Sequence, residues 1–194
     1  MANTSVRATS GAGSLVVFLR GVNVGGNKTF RPAEVARALG AINLGAAGTF
    51  VLHAGGAESA VRKSILAALE FECEVIVCRG GDVVALARRA EKDPPPYGKD
   101  LKTMVTVLAA KPKSKPTLPA SAPEGRNWQV RVTAADGPFV TSVWRRTEGR
   151  FIYPNEVVEK LFGVPGTTRG WSTIGAIVKA LESDASRAVK KRRP

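Results

Sequence analysis

The sequence predicts an α+β fold, and three observations lead to that prediction. In the first half, short apolar runs typical of buried strands alternate with stretches whose apolar residues recur at helical spacing. A segment over 93–100 then breaks the alternation, because three consecutive prolines cannot continue a helix. In the second half, two β-rich stretches flank the sequence Asp-Gly-Pro, which is typical of an antiparallel hairpin. Alternation followed by antiparallel strands favours α+β over a doubly wound sheet.

The first half is predicted to run β-α-β-α-β-α. Residues 14–21, SLVVFLRG, form an apolar run that ends in a charge and a glycine, as expected of a buried strand. Pro32 suits the first position of a helix, in which Val35 and Leu39 share the apolar face. The other elements are predicted as a strand within 46–56, a helix over about 57–70, a strand over 73–79 and a helix over 80–92 with Asp82 as its N-cap.

The second half is predicted to contain antiparallel strands and two closing helices. A strand over 101–110 precedes a proline-rich loop over 111–125, and the hairpin follows. The stretch RFIYP, residues 150–154, predicts a further antiparallel strand. The closing helices are predicted over 155–163 and 172–183, with Asn155 and Ser172 as N-caps and Gly163 as a helix end, and the stretch VPGTTRGW lies between them.

The chain is strongly basic, with a net charge of +13 over 194 residues. Such a charge attracts phosphate-rich partners at low salt, although part of the excess lies in the terminal sequence SRAVKKRRP. Cys73 and Cys78 would point to opposite faces of a strand, which excludes a shared metal or a mutual disulfide and indicates a reducing compartment. With His53 as the single histidine, the sequence predicts no metal site and no cofactor.

No apolar run approaches the roughly 18 residues that a membrane helix requires. The opening sequence MANTSVRATSGAGS has no apolar core of a secretory signal. These observations predict a soluble cytoplasmic protein with no membrane partner. Residues 1–13 are expected to be a disordered leader and residues 184–194 a basic disordered tail.

The stretch LRGVNVGGNKTF, residues 19–30, resembles a nucleotide-binding loop at first sight. A Walker A loop would place its lysine directly after the second glycine, where this chain has Asn27 instead of Lys28. No later strand ends in the carboxylate that would hold Mg²⁺, so an NTPase is not expected. Two alternatives stay open: an anion-binding turn built from glycine N–H groups, or a turn whose Asn23 and Asn27 satisfy the loop's own backbone.

A second motif, TTRGW, lies near the end of the chain. Arg169 could grip an anion together with Arg20 and Lys28, with Trp171 as a stacking surface. The alternative is that Trp171 anchors the core and Arg169 packs beside it. The candidate anion site consists of Arg20, Gly21, Asn23, Gly25, Gly26, Asn27, Lys28, Arg169 and Trp171.

Other chemistry-bearing residues favour structural interpretations. His53 has no nucleophile with a recognisable flanking motif, so a general base is less favoured than a partly exposed polar residue. Cys78 beside Arg79 could have a lowered pKa, but a buried apolar role is preferred. The alternation of aromatic and basic residues in VWRRTEGRFIYP suggests a stacking platform for single-stranded nucleic acid, or the ordinary inside–outside pattern of a sheet. Its members are Trp144, Arg145, Arg146, Arg150, Phe151 and Tyr153.

Two end motifs resemble those of the DUF1697 family of domains of unknown function. That family shows L-R-G-I-N-V-G-G near its start, which Leu19 to Gly26 match closely. It also shows T-x-R-N-W-x-T before its last helix, which residues 168–173 match, with Gly170 in place of the asparagine. The family's Y-I-x-S-G-N stretch is absent here, and His53-Ala54-Gly55 stands near its place.

The resemblance implies a ferredoxin-like N-terminal part and a second, smaller α+β part containing an antiparallel sheet. The corresponding boundaries are 14–92 for the first part, 93–100 for a proline-rich linker and 101–183 for the second part. The resemblance implies no reaction. The sequence therefore leaves three functions open: a binding module for a small anionic or phosphorylated ligand as the first, a nucleic-acid-associated protein as the second, and an enzyme of unknown reaction as the third.

Overall fold

The computed structural model describes residues 13–23, 28–53, 56–92, 98–147 and 151–191, and within these ranges it contains two antiparallel sheets and five helices. The first sheet has the strand order β2-β3-β1-β4, and each neighbouring pair is antiparallel. Its strands are β1 (Leu15–Arg20), β2 (Ile42–Asn43), β3 (Thr49–Leu52) and β4 (Glu74–Arg79). The helices of this half are α1 (Pro32–Leu39), α2 (Glu58–Ala67) and α3 (Gly80–Lys92).

The second sheet has the order β6-β7-β8-β5-β9, again with antiparallel neighbours. Its strands are β5 (Leu101–Leu108), β6 (Ala120–Ala122), β7 (Val130–Asp136), β8 (Phe139–Arg145) and β9 (Gly166–Gly170). The helices are α4 (Pro154–Phe162) and α5 (Trp171–Lys191). No helix within the described ranges is both long enough and apolar enough to cross a membrane.

Strand β1 is buried on both faces, which explains its continuous apolar run. Val16 and Phe18 face a core that both sheets share, while Leu15, Val17 and Leu19 face helices α1 and α2. The shared core is completed by α3 and by Ile174, Ile177 and Leu181 of α5, among other residues. A third cluster joins the far face of the second sheet to α4. The layers are therefore α1 and α2, the first sheet, the shared core, the second sheet and α4.

Several predictions of local structure were wrong, and each error has a physical reason. Residues 151–153 form no strand. The edge strand beside β5, on the side away from β8, is β9, whose glycines and threonines lack any strand-like apolar pattern. Strands β2 and β6 are two and three residues long, too short to produce a pattern. Helix α4 begins at Pro154 and α5 at Trp171, so Asn155 and Ser172 lie inside helices rather than capping them.

Other expectations can be compared with the described backbone. Gly163 does end α4, in a left-handed conformation with φ of 69°. Helix α5 continues to Lys191, so the segment 184–191 is helical where a disordered tail was expected. The leader up to residue 12 and most of the proline-rich linker lie outside the described residues.

The backbone approaches Leu19 closely at Gly48, and this contact generates a prediction. Gly48 has φ of +68°, and a Cβ there would lie 2.8 Å from the Leu19 Cβ. Gly45 also has a positive φ, of +95°, but a Cβ there would meet nothing within 4 Å. Both alanine variants carry the left-handed strain of roughly 1–2 kcal/mol. We expect Gly48→Ala to lower the free energy of unfolding by at least about 1 kcal/mol more than Gly45→Ala, because only Gly48→Ala adds a clash. Urea denaturation of both variants measures this difference, and equal losses would contradict it.

Candidate functional site

The two end motifs lie side by side at the end of β1. Arg20 is the last residue of β1, the loop that follows carries Gly21, Asn23 and Lys28, and the neighbouring strand β9 carries Arg169. The link between them is direct, because Arg169 Nη2 donates a hydrogen bond to the Leu19 carbonyl at 2.9 Å. This junction joins the first sheet to the second.

Arg169 is buried, with 7% of its surface exposed, and its guanidinium bonds only to neutral groups. Within the described part of the chain, no carboxylate pairs with it. Its Nε donates to the Thr49 hydroxyl and its Nη1 to the Thr167 hydroxyl, each at 2.8 Å. Its carbonyl acceptors are Leu19 at 2.9 Å, Ala47 at 2.6 Å, Gly48 at 3.4 Å and Thr168 at 2.9 Å. The guanidinium carbon also lies 5.8 Å from the centre of the Phe18 ring.

Burial lowers the pKa of Arg169 to about 10, because removal from water disfavours the charged form. The group stays protonated at neutral pH, since that value is well above 7. Its donors are already used by protein acceptors on three segments of the chain. Arg169 therefore fastens β1, the 47–49 segment and β9 together, and it has little capacity left for an external anion.

Arg20 is engaged by a carboxylate of the protein. Its Nε donates to Glu159 Oε1 at 3.0 Å and its Nη2 to Oε2 at 3.1 Å, a bidentate arrangement. The same Nε also donates to the Gly166 carbonyl at 3.0 Å, and the Gly166 N–H donates to Glu159 Oε1 at 2.9 Å. Arg20 thus ties the end of β1 to α4 and to the start of β9. Sequence reasoning missed Glu159, because a glutamate on an amphipathic helix carries no signal of its distant partner.

The opening loop is closed by Asn23. Its backbone N–H donates to the Lys28 carbonyl at 3.1 Å, its side-chain nitrogen donates to the Ala46 carbonyl at 2.8 Å, and its side-chain oxygen accepts from the Phe30 N–H at 3.0 Å. Lys28 Nζ donates to the Glu72 carbonyl at 2.8 Å. These contacts agree with the interpretation of the stretch as a turn that satisfies its own backbone. Gly25, Gly26 and Asn27 lie outside the described residues.

Trp171 begins α5 and packs, partly buried, against the shared core. It is an anchor in the described structure.

His53 follows β3 and is half-buried, and its backbone carbonyl accepts a hydrogen bond from the Ser14 hydroxyl at 3.5 Å. Burial, followed by the charges of Asp82 and Glu58, raises the pKa of the Cys78 thiol to about 12, so this thiol is not activated.

A second cluster of aromatic and basic residues lies where β8 ends and β5 begins. Trp144 and Lys102 are cross-strand partners, and the Lys102 ammonium lies 5.9 Å from the Trp144 ring centre. Phe151 stands 6.1 Å from Trp144, ring centre to ring centre. We call Lys102, Trp144, Arg146, Phe151 and Tyr153 the aromatic–basic end of the second sheet.

The segment that carries the two exposed aromatic rings is held to the sheet by its central residue. Trp144 Nε1 donates to the Ile152 carbonyl at 3.1 Å, and the Ile152 N–H donates to the Gln129 side-chain oxygen at 2.9 Å. Phe151 and Tyr153, on either side, are 42% and 54% exposed. Arg150 lies outside the described residues.

A third tryptophan, Trp128, lies at the opposite face of the same end of the sheet. Arg131 and Arg145 both lie over the Trp128 ring, with guanidinium carbons 4.4 Å and 4.5 Å from its centre. Because Trp144 and Arg145 are consecutive on a strand, their side chains point to opposite faces. Arg145 belongs to the predicted alternation of aromatic and basic residues, whereas Trp128 precedes β7 and meets Arg145 only through the pairing of β7 with β8.

Comparison with known proteins gives a family. The sequence model of the family described as "Protein of unknown function (DUF1697)" matches residues 13–136. The chain belongs to the DUF1697 family. The match includes the opening motif and ends before TTRGW. None of the curated proteins matches this DUF1697 chain.

One solved structure resembles this DUF1697 protein, that of conserved bacterial protein SP0830 from Streptococcus pneumoniae. The two chains are 14% identical, with a TM-score of 0.48, and the alignment covers 87% of this chain and 98% of the other.

Arg169 provides the sharpest test of this junction. We expect Arg169→Lys to lower the free energy of unfolding by roughly 2–4 kcal/mol, because one ammonium cannot reach acceptors on three segments and buried carbonyls lose their donors. Urea denaturation measures the loss. The control is Arg37→Lys on an exposed face of α1, where a change within about 0.5 kcal/mol is expected. An Arg169→Lys variant as stable as the control would show that the fastening role is wrong.

Proposed function

We propose that this DUF1697 protein binds single-stranded nucleic acid through the aromatic–basic end of its second sheet. The observation that carries the proposal is the fixed position of Phe151 and Tyr153, exposed on either side of the hydrogen-bonded Ile152. Aromatic rings held at a sheet edge offer faces on which unpaired bases stack. Because the segment is already ordered, stacking costs little additional conformational entropy.

The charge of the same region supports this choice of partner. Lys102 is exposed beside the Trp144 ring, Arg146 is exposed two residues after Trp144, and the whole chain carries a net charge of +13. Lysine and arginine neutralise backbone phosphates, while stacking requires no particular base. The surface therefore suits a single strand read with little sequence preference. A cytoplasmic location belongs to this proposal and is supported by two cysteines that are free thiols.

We also propose that residues 14–92 form a ferredoxin-like part and residues 101–183 the second part. The order β2-β3-β1-β4, with α1 after β1 and α2 between β3 and β4, supports the first assignment. The second part would then supply the nucleic-acid surface, and Arg20 and Arg169 would hold the two parts together.

The proposal is tested by fluorescence anisotropy with a labelled oligonucleotide of mixed sequence. We expect the double variant Phe151→Ala, Tyr153→Ala to raise the Kd at least about tenfold, because each lost stacking contact is worth roughly 1–3 kcal/mol. The dependence of Kd on salt should stay unchanged, since no charge is removed. The matched control is Ile42→Ala, Leu66→Ala, which removes two other exposed apolar side chains, 38% and 36% exposed.

Deletion of residues 187–194 separates the sheet surface from the basic C-terminal sequence. The proposal predicts that binding survives this deletion and still responds to the double variant. Loss of all binding with the deletion, or equal affinities for the double variant and its control, would overturn the proposal.

A second candidate function is a binding module for a small phosphorylated ligand at the opening loop. The favouring observation is that Asn23 and Lys28, which bracket the glycines, are the two non-glycine residues with positive φ in the described chain, at 53° and 48°. Such conformations cluster at ligand-binding sites, where strain is retained for function. The candidate ranks second here because Arg20 and Arg169 already bond to protein groups.

A thermal-shift screen with nucleotides and sugar phosphates tests the second candidate. A ligand at a hundredfold excess over its Kd should raise Tm on the order of 5 °C. We expect Lys28→Gln to abolish that rise, because it removes the loop's cation, while Lys63→Gln on the exposed face of α2 keeps it. A screen without shifts, or a shift indifferent to Lys28, would exclude this candidate.

A further inference from the structure

A cleft of about 580 Å³ lies between the two halves of the molecule, away from both surfaces discussed above. It opens where β4 and β5 end, at Arg79 and Leu108. The aromatic–basic end lies at the other end of β5, about seven residues or roughly 23 Å away along the strand. The opening loop follows the opposite end of β1, because Leu15 pairs with Arg79 and Arg20 with Glu74. The cleft is therefore a separate site, with a volume in the usual range for small-molecule sites.

The floor of the cleft is apolar. Ile76, Cys78 and Leu108 line it, and all three are buried. Burial in the first place, and then the nearby carboxylates, raise the pKa of the Cys78 thiol to about 12, so the thiol is neutral at physiological pH. A neutral thiol behaves as a small apolar group and not as a nucleophile. The cleft is thus suited to binding an apolar body rather than to covalent chemistry.

The rim of the cleft carries charges of both signs. Glu58 and Asp82 lie in the first turns of α2 and α3, where the helix dipole favours a negative charge. Arg79 and Lys111 lie on the same rim and are exposed. Within the described residues, these four side chains form no ion pair with one another or with other groups. Their charges are available to a ligand that carries both signs.

We propose that this cleft binds a free α-amino acid with a large apolar side chain. The ammonium of such a zwitterion would bond to Asp82 and Glu58, its carboxylate to Arg79 and Lys111, and its side chain would cover the floor formed by Cys78. An ordinary anion meets two carboxylates at this cleft. An ordinary cation meets Arg79, Lys111 and also Arg62, whose guanidinium lines the cleft and donates a hydrogen bond to the Val75 carbonyl. A zwitterion with an apolar side chain is the ligand class that complements all three features.

The test is an NMR titration of the full, isotope-labelled chain with L-phenylalanine, 3-phenylpropionate and phenethylamine as probes. The last two keep the ring but lack the ammonium and the carboxylate, respectively. We expect saturable shifts of amides lining the cleft, such as Ala110 and Gly137, with a Kd for L-phenylalanine about tenfold lower than for either analogue. Absence of saturable shifts, shifts confined to other regions, or equal Kd values for the three probes would overturn the proposal.

Two exposed-rim variants assign the contacts. Asp82→Asn should weaken L-phenylalanine about tenfold without weakening 3-phenylpropionate, because the latter has no ammonium to lose and is repelled by this carboxylate. Arg79→Gln should weaken L-phenylalanine without weakening phenethylamine, which has no carboxylate to lose and is repelled by this guanidinium. Asp100→Asn and Arg37→Gln, exposed and outside the cleft, are the matched controls and should alter neither Kd. Rim variants that behave like these controls would also overturn the assignment.

Discussion

The architecture depends on a buried cation, Arg169, that pairs with no carboxylate among the residues the structure describes. A guanidinium transferred from water is costly unless its donors are satisfied, and Arg169 satisfies them with hydroxyls and backbone carbonyls. Among these acceptors, the Leu19 carbonyl also accepts from the Thr167 hydroxyl and the Gly48 carbonyl from the Leu19 N–H, whereas the Ala47 carbonyl accepts from Arg169. The hydrogen bonds between Arg169 and these carbonyls therefore offset the free-energy cost of removing both groups from water. The two sheets meet at this point because the polar groups of one are complementary to those of the other.

Arg20 and Glu159 reinforce the same junction at its solvent edge. This pair is partly exposed, and surface ion pairs contribute little by themselves. The pair contributes mainly by positioning the backbone, since the Glu159 carboxylate also accepts a hydrogen bond from the Gly166 N–H and so fixes the start of β9. A strand as short and polar as β9 needs such external contacts, because its own side chains bury little apolar surface.

The sequence predicts those parts of the fold that have a strong apolar pattern. β1, β4 and β5 are visible because burial produces long apolar runs, and α1 to α3 because one face of each is apolar. β9 could not be predicted, since Gly-Thr-Thr-Arg-Gly becomes a strand only by pairing with β5. At the candidate site, the residue types were visible, but their partners were not. Nothing near Arg20 in the sequence indicates Glu159, which lies 139 residues later.

The long sequence separation at Arg169 has a consequence for the order in which the chain is synthesised. The first sheet is complete once residue 79 has left the ribosome, yet its donor for Leu19, Ala47 and Thr49 arrives 120 to 150 residues after those acceptors. Until then the nascent first half has unpaired carbonyls beside one uncovered apolar face, a combination that favours aggregation or chaperone binding. The first half therefore completes its folding only after the second half has been synthesised, and this order does not depend on which ligand the folded protein binds.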